Sequence, residues 1–86
     1  MSRVNRKDQQ ANLPFLEFYF EEVVRRMERR PTKQDRKVSR RLLLETFMRT
    51  RSVGQTAKVC GVSDSLVGQI VAKAIYTAMR MAGVRP

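Results

Sequence analysis

Apolar residues recur along this chain at helical spacing, in blocks separated by prolines, glycines and serines. The first block, "NLPFLEFYFEEVVRRMERR", predicts one helix from Asn12 to just before Pro31. Asn12 suits an N-cap, Pro14 is tolerated in the first turn, and Pro31 disfavours helix in the residue before it. Glutamates come early and arginines late, the order favoured by the helix dipole. Leu13, Leu16, Phe20, Val23, Val24 and Met27 form a stripe about 100° wide. Phe15 and Tyr19 widen that stripe, and Phe18 points away from it. These aromatics exceed what one small core needs. They fit either a contact with a second copy of the chain, through Phe15, Phe18 and Tyr19, or deeper burial within one copy.

The second block begins at Thr32–Asp35, "TKQD", which reads as a capping box with the shorter acid, and predicts a helix running toward Arg51. Its first half carries Lys33, Arg36, Lys37, Arg40 and Arg41. Its second half is apolar nearly all round, through Leu42 and the pairs Leu43/Phe47 and Leu44/Met48. A helix of that kind is enclosed by neighbours, so it is expected at the centre of the fold. Two further helices are predicted at about Ser52–Cys60 and Ser63–Ala82, with Gly83 and Pro86 ending the pattern. No segment reads as a strand. The expectation is an all-α fold: one domain over residues 12–86 of about four helices, with a C-terminal helix-turn-helix and a long recognition helix. Residues 1–11, with Arg3, Arg6 and Lys7, are expected to be a disordered basic arm.

Composition narrows the chemistry. The 86 residues include one cysteine and no histidine or tryptophan, which excludes zinc sites and disulfide frameworks within one chain. No paired acids stand near a nucleophile, so no catalytic group assembles and the chain is not expected to be an enzyme. Neither a cofactor nor a metal is implied. No run reaches a membrane span, the start "MSRVNRKDQQ" lacks the apolar stretch of a signal peptide, and the lone Cys60 suits a reducing, cytoplasmic setting. Charge is the loudest signal: 18 Lys and Arg against 8 Asp and Glu, a net +10. That balance suggests a polyanionic partner, most often nucleic acid. Nine of the positive residues fall between Arg25 and Arg41.

The stretch "AKVCGVSDSLVGQIVAKA", from Ala57 to Ala74, meets the physical demands of a helix-turn-helix in turn. Ala57 is small where two helices would touch. Gly61 tolerates the positive φ that the turn needs. Val62 supplies an apolar plug, and Ser63 can cap the next helix. Val67, Ile70 and Ala74 give that helix a buried face, with Val53 and Cys60 on the matching side of the helix before it.

"GVSDSLVGQIVAKAIYTAMR", Gly61–Arg80, resembles region four of bacterial sigma-70-type factors. The matching residues are Gly61, Val62, Ser63, Val67, Gln69, Ile70, Ala72, Lys73, Ala74 and Arg80. A comparable likeness exists to the helix-turn-helix of TrfB/KorA-type plasmid repressors and PapB-type fimbrial regulators. The resemblance covers roughly the last 35 residues and implies a small all-helical regulator acting as a dimer or higher oligomer. Region four places arginine, glutamate and arginine where this chain has Asp64, Ser65 and Gly68. The resemblance therefore does not extend to reading of a promoter −35 element.

The base-reading candidates are Ser63, Asp64, Ser65, Gly68, Gln69 and Ala72. Gln69 can pair with adenine, Ser65 can bond base or phosphate, and Asp64 can accept from cytosine. Gly68 and Ala72 leave a shallow surface for a groove edge or a thymine methyl. Asp64 equally suits a helix start, and Gln69 and Lys73 equally suit solvated surface. Phosphate contacts are expected from Arg36, Lys37, Arg40, Arg41, Arg51, Ser52, Gln55, Lys58 and Lys73. The leading expectation is a sequence-specific regulator binding double-stranded DNA as a homodimer. The first alternative is a region-four mimic that binds RNA polymerase or another regulator. A sequence-neutral nucleic-acid binder lacks the aromatic platforms of the usual RNA modules.

Overall fold

The computed structural model describes residues 12–29 and 39–84, and these form five helices with no strand among them. They are α1 (Leu13–Phe18), α2 (Phe20–Glu28), α3 (Arg40–Thr50), α4 (Val53–Cys60) and α5 (Asp64–Met81). The expected basic arm and the Thr32–Asp35 capping box lie outside the described residues.

The first predicted helix is two helices. It breaks at Tyr19, whose φ of −103° and ψ of 19° leave the helical region. No proline or glycine marks the break. The local weakness is four aromatics within six residues (Phe15, Phe18, Tyr19, Phe20), side chains that lose rotamer freedom in a helix. The break is one residue wide. The Tyr19 N–H donates to the Phe15 carbonyl at 3.0 Å, and its own carbonyl accepts from Val23 at 2.9 Å. Leu13, Leu16, Val23, Val24 and Met27 therefore stay on one buried stripe, with Phe20 at its margin. Asn12 precedes α1 without a side-chain capping bond.

Ser39 is extended and its hydroxyl accepts from the Leu42 N–H, so a helix begins at Arg40. The expectation that α3 forms the centre is also corrected. Leu42 is 52 % exposed, and Glu45 and Arg49 share that open face. The hub is α5, which packs against each of the other four helices. Its buried residues are Val67, Ile70, Val71, Ala74, Ile75, Ala78 and Met79. The two alanines let neighbouring backbones approach closely, while the larger residues fill the space between them.

Between α3 and α4 the chain turns at Arg51, which adopts the left-handed conformation (φ 56°, ψ 26°). Side chains brace this joint. Thr56 donates to the Ser52 carbonyl at 2.7 Å, and the Thr50 and Thr56 hydroxyls lie 3.0 Å apart. Arg51 itself reaches Glu17 on α1 at 2.8 Å.

A candidate nucleic-acid interface on α4 and α5

Caps set the geometry of the α4–α5 pair. The Ser52 hydroxyl accepts from the Gln55 N–H at 3.3 Å and starts α4. Gly61 ends it at φ 69°, a left-handed conformation that no side chain adopts cheaply. The Gly61 and Val62 N–H groups both donate to the Ala57 carbonyl, closing the helix end. Val62 packs against the core, and the Ser63 hydroxyl accepts from Leu66 at 3.2 Å to start α5. Three residues thus separate two capped helices, and Ala57 is buried beside the turn.

With one side of α5 committed to the core, the opposite side is open. Ser63, Asp64, Ser65, Gln69 and Lys73 are exposed, and Gly68 and Ala72 are half-buried between them. On α4, Gln55 and Lys58 are exposed and Ser52 is half-buried. Most candidates on these two helices are therefore open to solvent on neighbouring elements. Around Gly68 there is free space: beyond its own turn of helix, no atom lies within 4 Å of where a Cβ would stand. Ser52 and Ser63 each use a hydroxyl lone pair in capping, which leaves the O–H free to donate outward.

The upstream basic residues divide. Arg36 and Lys37 lie outside the described residues. Arg40, expected to bind phosphate, is instead 7 % exposed, and its Nη1 donates to the Met27 carbonyl. That carbonyl sits in the last turn of α2, where no intrahelical donor remains and the dipole is negative. Arg40 therefore joins α3 to the end of α2. Arg41 grips Glu21 through two bonds of 3.0 and 2.9 Å, with Glu28 and Glu45 at 4.0 and 3.9 Å. This two-pronged bond, and behind it the charges of Arg41 and Arg25, lowers the Glu21 carboxyl below its ordinary value and raises Arg41. Arg51 is exposed but paired with Glu17. Both guanidiniums would have to leave a carboxylate to meet a phosphate.

The proposed interface aromatics divide too. Phe15 and Tyr19 are half-buried against the core, whereas Phe18 is 81 % exposed and meets the Tyr19 ring edge-on at 4.8 Å. Two exposed residues escaped the sequence reading. Val59 on α4 is 63 % exposed, one turn from Gln55, a position that the spacing of the polar face could have revealed. Arg49 stands on the open face of α3.

No known protein family, curated protein or solved structure matches the chain. Among the described residues, no helix is long and apolar enough to cross a membrane.

Proposed function

We propose that the chain is a small cytoplasmic, sequence-specific DNA-binding transcription regulator that lays the first half of α5 into the major groove and acts as a homodimer. One observation carries this reading. Gly68 sits inside a helix, on its open face, with room for a Cβ and no need of a positive φ. A glycine there costs the fold about 0.5–1 kcal/mol relative to alanine. No contact within the chain requires a glycine there, and the low surface it leaves is open to a partner's close approach. Ser65 and Ala72 extend the low relief, and Gln69 rises beside it with the two-pronged chemistry that adenine presents in the major groove. Lys58, Lys73 and Gln55 flank the face where phosphates would pass.

The test couples two measurements. Selection from a randomised duplex pool at near-physiological salt should enrich an inverted repeat. On that site Gly68→Ala should bind more weakly while melting higher, by about 0.5–1 kcal/mol. Gln69→Ala should lose affinity for the selected site alone, and Lys58→Ala should weaken every duplex and flatten the salt slope. Equal losses on selected and random DNA for Gln69→Ala would remove its reading role.

The second reading, a mimic of region four that binds RNA polymerase or another regulator, also has an observation behind it. The open face of α5 begins with the Asp64 carboxylate, and its cations, Lys73 and Arg80, stand only in its second half. An unenriched pool would favour this reading.

A further inference from the structure

The acids of the described chain are unevenly placed. Glu17, Glu21, Glu22, Glu28 and Glu45 all lie on α1–α3, and only Asp64 lies elsewhere. Between α1–α2 and α3 runs an open groove of about 300 Å³, lined by Phe20 and Met48 with Glu17 and Glu45 beside them. Arginines bridge the same two walls: Arg51 holds Glu17, and Arg41 holds Glu21. Close by stand the exposed Phe18, next to Glu17 in the chain, and the open α3 face of Leu42, Glu45 and Arg49.

A chain of net charge +10 repels its own copies over most of its surface. Copies can approach where glutamates offset arginines: α1–α3 carry five of each, and this groove lies among them. We propose that the α1–α3 groove is the self-association surface, with Phe18 of each copy seated over Phe20 and Met48 of the other. A two-fold contact requires one patch to be complementary to itself. This patch carries an apolar knob and an apolar hollow. It also carries both signs of charge: Glu45 and Arg49 are one turn apart on α3, so an antiparallel crossing of the two α3 helices sets each glutamate against the other copy's arginine. Leu42 adds apolar area at the edge. The inference deepens the dimer part of the proposed function and is independent of how α5 is used.

Sedimentation of the full chain without DNA tests it, so a negative result leaves the DNA selection standing. The expected result is a dimer at micromolar concentration that Phe18→Asp weakens at least 30-fold, about the effect of losing one interface hot spot. Phe18 is exposed, so this variant keeps its helical content by circular dichroism. Glu45→Arg and Arg49→Glu should each weaken the dimer, and the double reversal should restore it, which a role confined to one helix would not do. Val59→Asp, on the other exposed apolar site, should leave it intact. A monomeric chain, a dimer indifferent to Phe18→Asp, or a dimer broken by Val59→Asp would each overturn the proposal.

Discussion

The two halves of this protein hold their helices by different means. In α4 and α5 the chain is fixed by its own backbone: serine caps at Ser52 and Ser63, a left-handed Gly61, and a closing bond to Ala57. In α1–α3, where α3 also has a serine cap at Ser39, long side chains reach between helices: Arg40 to Met27, Arg41 to Glu21, and Arg51 to Glu17. Local caps fix a helix end without occupying its outer face. Bridging arginines consume the charges that a basic sequence advertises. Among the described residues of the more cationic half, Arg40, Arg41 and Arg51 turn to partners within the chain, while Arg25, Arg26, Arg29 and Arg49 stay exposed. The half with few charges keeps its face open.

The comparison breaks first if α5 ceases to serve both halves. Ile75 is wholly buried in the hub helix, and Ile75→Ala should cost about 2–5 kcal/mol in denaturant melts. The loss should appear as one transition for both halves; two separate transitions would show that α1–α3 fold without α5. Next comes Arg40→Ala. A buried hydrogen bond from a charged donor contributes about 1.5–3 kcal/mol, so this change should lower stability by about that amount. The salt slope of the proposed DNA binding should stay as it is, because the side chain faces α2. A flattened slope with unchanged melting would return Arg40 to the phosphate contacts.

The smallest effect concerns pH. The Glu21 carboxyl is lowered in the folded chain, so its contribution is present above the ordinary carboxylate range and fades as pH falls through the lowered value. The pair is exposed, and the contribution is small and screened by salt. Glu21→Gln should remove a slight acid-side slope in stability measured at low ionic strength. A slope unchanged by this substitution would mean that the bridge contributes nothing in solution.

Much of this was legible in the sequence, and the exceptions share a cause. Gly61, Ser52 and Ser63 were readable because caps and turns act over three or four residues. The stripe from Leu13 to Met27 was readable because helical spacing is local. The break at Tyr19 passed unnoticed because it has no proline or glycine and leaves the stripe in register. The helix start expected at Thr32 lies outside the described residues, and the structure shows a start at Ser39 that the sequence reading does not include. Arg40 departs from its expected phosphate contact for a further reason. A helical wheel gives the angle of a side chain but not its neighbours, and an arginine with an apolar stem can point inward as well as out. On the candidate interface, the sequence identified the face of α5 but not the isolation of Gly68, which depends on what the fold leaves empty.

Arg51 leaves one more consequence. A left-handed residue with a side chain carries a penalty of about 1–2 kcal/mol that glycine avoids, and here it is offset only by an exposed bond to Glu17. Arg51→Gly is therefore a mutational path along which the chain gains stability without repacking anything buried. A later substitution that costs no more than this gain becomes tolerable once that step is taken. The turn before α4 is a reservoir of evolvability.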